Sequence, residues 1–142
     1  MSKILVAVDF SSLTPRTIDY ATRLAVGPGY TIDLLHVVLA TLPANVRAHA
    51  PKEVLEKIVS SEESQGNAKL NAAMQEHVPQ AVRGEALLRR GKAAETICQV
   101  AAEGYELLVV STQGRTGFQH MLMGSVAERV VRMAPIPVLV VR

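Results

Sequence analysis

Residues 106–134 read ELLVVSTQGRTGFQHMLMGSVAERVVRMA, and this stretch decides the fold class. Residues 106–110 form a short, apolar, β-branched run, which predicts a buried strand. Residues 125–134 carry apolar side chains at helical spacing and open with an S-x-x-E capping box made by Ser125 and Glu128, which predicts a helix. A buried strand, a glycine-rich loop and a helix in succession are typical of a parallel α/β sheet.

The rest of the chain repeats this alternation. Short apolar runs predict four further strands, at residues 3–8, 31–38, 82–90 and 137–141. Helical periodicity between them predicts helices at residues 11–25, along an amphipathic region that starts at Pro51, and at residues 93–101. The resulting order β-α-β-α-β-α-β-α-β predicts one α/β domain over residues 1–142, with parallel strands, right-handed crossovers and helices on both faces of the sheet.

Local signals add detail at three places. Ser11, Ser12 and Thr14 are each able to cap the first predicted helix. Residues 39–50 have no periodic pattern and predict a long connection. Gly66 falls in a polar stretch that interrupts the amphipathic pattern, and it predicts a kink in the helix there.

Composition excludes several classes of partner. The 142 residues include 15 basic and 13 acidic side chains, and the basic ones are scattered along the chain. Aromatic residues make up 4%, without Trp, so neither a basic patch nor a stacking platform for nucleic acid is present. No apolar run approaches the length of about 20 residues that a membrane helix needs. Because the single Cys98 has no partner for an internal disulfide and the N-terminus lacks a signal-peptide pattern, we expect a cytoplasmic protein with no membrane or nucleic-acid partner.

The loop after residue 110 contains Gly114, Gly117 and Gly124, three glycines within eleven residues. Glycine lets a ligand approach the backbone closely, and a following helix start supplies N–H groups and a positive dipole end. Taken singly, each glycine is better explained by structure alone: Gly114 and Gly117 by the shape of the loop, and Gly124 by the helix start. Together, at the carboxyl end of a parallel strand, they predict a phosphate site. GxGxxG and GxxxxGK[ST] are both absent, which excludes the Rossmann dinucleotide and Walker motifs.

Histidine and methionine residues have simpler explanations than ligand binding. His36 and His120 are isolated from further metal ligands at motif spacing, which predicts an edge-strand or surface position and no zinc site. Met121 and Met123 are predicted to pack beneath the loop.

Motifs along essentially the whole chain resemble the universal stress protein family. They are KILVAVDFS at the N-terminus, LLHVV, GKAAETI, GRTG, GSVAERVVRMAP and the C-terminal PIPVLVV. The order and spacing of these motifs agree with the family throughout. The resemblance implies the family's fold, an open five-stranded parallel sheet of the Rossmann-like, adenine nucleotide alpha-hydrolase-like type, with strand order 3-2-1-4-5.

The resemblance also implies a set of phosphate-binding residues. The family's nucleotide-binding branch carries G-x2-G-x9-G-[ST], which aligns here with Ser111, Gly114, Gly124 and Ser125. Ser111 stands where the family often has glycine, and its side chain either crowds a phosphate or gives it a hydroxyl group. The predicted site also includes three neighbours in the loop and helix, Arg115, Gly117 and Val126. Arg115 is expected either to touch phosphate oxygens or to be solvated.

The base and ribose have implied partners on the first two strands. By resemblance, Ala7 flanks the base, the backbone of Val37 pairs with adenine, and Asp9 lies near the ribose and an Mg²⁺ ion. Asp9 has an alternative role as a cap of the next helix. The implied ligand is ATP or AMP, with Mg²⁺ held by the nucleotide and Asp9.

The function implied by the resemblance is nucleotide-dependent regulation in the stress response, without assigned catalytic residues. Two alternatives stay open. A slow ATPase has Asp9 and Arg115 available but lacks a Walker lysine. A nucleotide-free dimeric interaction module is favoured by Ser111. The strand between Pro137 and Val141 is expected at the sheet edge, where a second copy can pair to form a homodimer, and an unknown protein partner is also open.

Overall fold

The structure is a computed structural model, and it describes residues 2–27, 29–39, 44–112 and 123–142. The predicted alternation of strands and helices is present within these ranges. In chain order the elements are β1 (Lys3–Ala7), α1 (Thr14–Val26), β2 (Thr31–Val38), α2 (Ala44–His49), α3 (Lys52–His77), a 3₁₀ turn (Gln80–Val82), β3 (Arg83–Arg90), α4 (Ala93–Ala101), β4 (Leu107–Ser111), α5 (Ser125–Met133) and β5 (Val138–Val141).

The five strands form one parallel sheet in the order β3-β2-β1-β4-β5. This confirms the fold class and the strand order 3-2-1-4-5. β5 lies at an edge of the sheet, as predicted, and β1 lies at its centre. The sheet grows from β1 toward β3 in one direction and through β4 in the other, so the chain order reverses between β1 and β4.

The sheet separates two hydrophobic clusters. Ile4 and Val6 of β1 face α1 and α3, whereas Leu5 between them faces α4 and α5, as the two-residue period of a strand requires. Ile18 of α1 and Leu70 of α3 are fully buried in the first cluster. The sheet therefore has an α1/α3 face and an α4/α5 face.

The helices differ from the sequence predictions in two respects. Part of the predicted connection at residues 39–50 forms the short helix α2, none of whose residues is buried, and residues 40–43 lie outside the described ranges. α3 runs without interruption from Lys52 to His77. The polar residues around Gly66 lie on the exposed side of this helix, while Gly66 itself is buried against β2 and β3.

The predicted helix caps are wrong. α1 begins after Leu13 and α5 begins after Gly124, and neither helix has a side-chain capping hydrogen bond. Ser125 occupies the first helical position of α5, one residue too late to cap it, and Glu128 pairs with Arg132 instead. None of the described helices combines the length and the apolar character needed to cross a membrane.

Candidate functional site

A cavity of about 660 Å³ opens at the carboxyl ends of β1, β2 and β4, beside the start of α5. Its volume lies within the range of roughly 300–1,000 Å³ that is usual for small-molecule sites. It also lies where the chain order reverses between β1 and β4, the position at which open parallel sheets form a ligand crevice. The predicted site residues that line it are Ala7, Asp9, Val37, Ser111, Gly124, Ser125 and Val126. Gly114, Arg115 and Gly117 lie outside the described residues.

The amino end of α5 forms one wall of the cavity. Gly124 precedes the helix with extended backbone, and its N–H donates to the carbonyl of Thr112 just after β4. This bond fixes the start of α5 next to the end of β4. The N–H groups of Ser125, Val126 and Ala127 are in the first turn and have no acceptor within the helix. They and the positive end of the helix dipole make this wall suited to an anion.

Asp9 follows β1 and reaches the cavity from the centre of the sheet. Its Oδ1 accepts a hydrogen bond from the backbone N–H of Ser11 at 2.9 Å, so the carboxylate closes a tight turn around Phe10. Because Leu13 precedes the first residue of α1, the alternative role of Asp9 as a helix cap is not observed.

The carboxylate of Asp9 is a candidate ligand for an Mg²⁺ ion. Among the residues that the structure describes, no group of three or more His, Cys, Asp or Glu side chains converges. Mg²⁺ commonly binds through one or two carboxylates together with substrate phosphates. A single carboxylate that lines the same cavity as the start of α5 therefore fits Mg²⁺ carried by a phosphate ligand.

An apolar slot lies on the α4/α5 face of the cavity. Ala7 and Val37 are partly buried there and pack against the cluster that contains Leu35, Ile97 and Ala127. The ladder between β1 and β2 ends at the pair Ala7 and Leu35, so Val37 lies two residues beyond it, at the cavity. A flat apolar group can insert here beside strand backbone.

A second wall of the cavity, contributed by α3, was not predicted from the sequence. Glu62, Gln65, Gly66 and Lys69 line the cavity from one face of this helix. Their spacing of i, i+3, i+4 and i+7 is the signal that reveals a shared helical face. The helix lies close to β2 because Gly66 has no side chain. A Cβ at this position would lie only 3.3 Å from Cδ2 of His36.

The predicted position of His36 is wrong. It lies on β2, an interior strand, and only 7% of its surface is exposed. A carbonyl oxygen only accepts, so Nδ1 of His36 donates to the carbonyl of Val8 at 2.9 Å. The ring also contacts the ring of Phe10, with a centroid distance of 4.4 Å. Met123 packs partly buried against the α4/α5 cluster, whereas Met121 and His120 lie outside the described residues.

Comparisons with known proteins agree with this fold. The model of the Universal stress protein family matches residues 1–142. The universal stress protein YxiE of Bacillus subtilis is 30% identical over 99% of this chain and 99% of its own length. Universal stress protein UspA from Lactobacillus plantarum has a structure that matches with a TM-score of 0.81 at 21% identity, covering 99% of this chain and 97% of that one.

A third comparison concerns a structure solved with a ligand. The universal stress protein from Archaeoglobus fulgidus in complex with dAMP matches with a TM-score of 0.64 at 23% identity, over 100% of this chain and 98% of that chain. At this level of identity the likeness is one of fold. The family model and the Bacillus relative together show that the chain belongs to the universal stress protein family.

Proposed function

We propose that this protein binds an adenine nucleotide, ATP or AMP, and acts as a nucleotide-dependent regulator in the stress response. The observation that carries the proposal is the cavity, which gathers Ala7, Asp9, Val37, Ser111 and the start of α5 at the reversal point of the sheet. The complex of a family member with dAMP supports an adenine nucleotide as the ligand class.

In this proposal the phosphates lie against the first turn of α5. Gly124 has no side chain beside that turn, and the N–H groups of Ser125 and Val126 donate to phosphate oxygens. Ser111 faces the same space from the end of β4 and contributes a hydroxyl donor. Gly114, Arg115 and Gly117 complete the phosphate loop.

The adenine ring occupies the apolar slot and the ribose lies near Asp9. Ala7 flanks the base, and the backbone of Val37 pairs with its polar edge. The Asp9 carboxylate binds the ribose and an Mg²⁺ ion that the phosphates carry. Bound Mg²⁺ supplies positive charge that offsets the phosphate charge, and the chain itself provides the carboxylate.

The protein is further proposed to form a homodimer in the cytoplasm. β5 is an edge strand whose outer side has no neighbour within the described sheet, and its backbone is available to a second copy between Pro137 and Val141. A reducing compartment suits Cys98, which is buried and whose thiol pKa is raised by that burial.

The first experiment identifies the bound ligand. Freshly purified protein is denatured and any released nucleotide is identified by mass, and ATP and AMP are then titrated by calorimetry with and without Mg²⁺. About one adenine nucleotide per chain supports the proposal. Sustained release of phosphate from ATP supports a slow ATPase instead. If no nucleotide is released on denaturation and neither ATP nor AMP binds in the titrations, the proposal is overturned in favour of a nucleotide-free interaction module.

Gly124→Val tests the phosphate position. The extended backbone at Gly124, with φ −71° and ψ 161°, accepts valine without strain, so the added Cβ branch acts on the space beside α5. We expect at least about a tenfold loss of ATP affinity with the fold retained.

Gly27→Val is the matched control, because nothing lies within 4 Å of a Cβ at Gly27. Affinity is measured by calorimetry and folding by circular dichroism. Unchanged affinity in a folded Gly124→Val protein would contradict the phosphate assignment.

A further inference from the structure

Phe10 holds a backbone conformation that phenylalanine rarely adopts. Its φ is +59°, and among the described residues it is the single non-glycine residue with positive φ. Left-handed backbone is unfavourable for residues with a Cβ, and where it persists the surrounding structure must hold it. Phe10 follows Asp9 directly and lines the same cavity.

The turn around Phe10 depends on this conformation. Oδ1 of Asp9 accepts the N–H of Ser11, two residues along the chain, and Phe10 is the residue between them. Such a turn mimics a β-turn whose central residue is left-handed, a position that glycine or asparagine usually occupies. Here an aromatic residue occupies it.

Contacts of the Phe10 ring explain how the conformation is held. The ring contacts His36 on one side, and Nζ of Lys69 lies 5.7 Å from the ring centroid. Both are favourable interactions for an aromatic ring. His36 is itself fixed by its bond to Val8, and Lys69 is carried by α3, which Gly66 allows to pack close to His36. The ring is therefore held by both β2 and α3.

We propose that Phe10 is a positioning residue for nucleotide binding: its ring, held by His36 and Lys69, keeps the Phe10 backbone left-handed and so fixes the Asp9 carboxylate at the cavity wall. The inference rests on the proposed function, because Asp9 is the group through which Phe10 acts on the ligand. Phe10 need not contact the nucleotide.

Two substitutions distinguish the effect of the turn conformation on ATP binding from the effect of ring packing. Phe10→Ala removes the ring and leaves a residue that disfavours positive φ, so the turn relaxes. Phe10→Asn also removes the ring, but asparagine adopts the left-handed conformation readily. We expect Phe10→Ala to weaken ATP binding about tenfold and Phe10→Asn to restore it to within about threefold of the wild type. A purely structural role of the ring predicts equal losses in both variants.

A double-mutant cycle tests whether Phe10 acts through Asp9. In the Asp9→Ala background, Phe10→Ala is expected to change ATP affinity by less than about twofold. Tyr30→Ala is the control for loss of a packed aromatic residue, since Tyr30 packs against the same α1/α3 cluster at the opposite end of the sheet. Its ATP affinity is expected to equal that of the wild type.

Amide hydrogen exchange at Ser11 provides a readout that needs no nucleotide. The Ser11 N–H is expected to exchange faster in Phe10→Ala and at nearly the wild-type rate in Phe10→Asn. Equal exchange in all three proteins, or equal affinity losses in both variants, overturns the inference. If the wild type binds no nucleotide, the proposed function fails, and the exchange rates still decide whether Phe10 holds the turn.

Discussion

At the scale of single residues, Asp33 is a carboxylate with no exposed surface, near the amino end of the buried strand β2. Its Oδ2 accepts bonds from Tyr105 Oη at 2.8 Å and Lys3 Nζ at 3.1 Å, and its Oδ1 accepts the N–H of Glu85 at 2.7 Å. The last bond bridges an irregularity in the β2–β3 register. Removing one hydrogen-bond partner from such a buried carboxylate costs about 1–3 kcal/mol, so these bonds are important for stability.

Gly84→Ala tests this arrangement. A Cβ on Gly84 would lie 1.9 Å from Oδ1 of Asp33 and 2.8 Å from the carbonyl oxygen of Ile32, so the carboxylate must move away from its partners. We expect the free energy of unfolding in urea to fall by about 3 kcal/mol. Gly27→Ala is the control, because nothing lies within 4 Å of its Cβ. Equal losses in the two variants would contradict the argument.

At the scale of elements, α3 has two roles along its 26 residues. Leu70, Ala73 and Met74 bury its second half against the sheet, and the residues around Gly66 line the cavity. The absent side chain at Gly66 sets how near the helix lies to β2 and β3. Gly66 predicted a kink from the sequence, but in the structure it allows α3 to pack closely against β2 and β3.

Gly66→Val is expected to reduce stability. The new side chain would meet Cδ1 of Leu88 at 3.0 Å and Cδ2 of His36 at 3.3 Å already at its Cβ. Overpacking of this kind costs about 1–3 kcal/mol. Thermal and urea unfolding measure the change, and Ala68→Val on the exposed side of the same helix is the control. If the Gly66→Val variant is as stable as the Ala68→Val variant, α3 moves away from the sheet without cost and the prediction is contradicted.

At the scale of the whole molecule, ionisable groups at the amino end of the sheet connect stability to pH. Hydrogen bonding to Asp33 raises the pKa of Lys3, and burial together with Asp33 raises the pKa of Tyr105. Both groups hold their protons more tightly in the folded state, so their stabilisation is complete below about pH 9 and is lost as the pH rises further. Hydrogen bonds from Ser2 and Tyr30 lower the pKa of Glu106, whose contribution is lost in acid.

We therefore expect the free energy of unfolding to fall as the pH rises from about 9 to about 11, and to fall less steeply in Tyr105→Phe. Tyr105→Phe is also less stable at every pH by about 1–3 kcal/mol, because Asp33 loses a donor. Urea unfolding across this range measures both effects. Tyr20→Phe, an exposed tyrosine on α1, is the control, and a slope equal to that of Tyr105→Phe would contradict the prediction.

Much of the fold was predictable because strands buried on both faces leave continuous apolar runs in the sequence. The run from Thr31 to Val38 matches β2 to the residue. α2 was not predicted, since a short helix without buried residues leaves no apolar period. The predicted helix caps were wrong for a different reason: a serine near the start of a helix does not reveal which residue is the first helical one.

The candidate site was predictable where it depends on topology. Asp9, Val37 and Ser111 follow or end parallel strands, and such ends meet at one edge of a sheet. The wall formed by Glu62, Gln65 and Lys69 was not, because it depends on how α3 packs over β2. The left-handed Phe10 was also hidden, since its backbone is held by tertiary contacts rather than by its own preference.

The strand order has a consequence for how the cavity arises during synthesis. β1, β2 and β3 are contiguous in the chain and adjacent in the sheet, so residues 3–90 can assemble as a half-sheet as they leave the ribosome. That half carries Asp9 and Val37, whereas Ser111 and Gly124 arrive only with the last third of the chain. A complete cleft therefore forms only after the start of α5 has been synthesised, and a ligand that bridges the two halves would join β1 to α5.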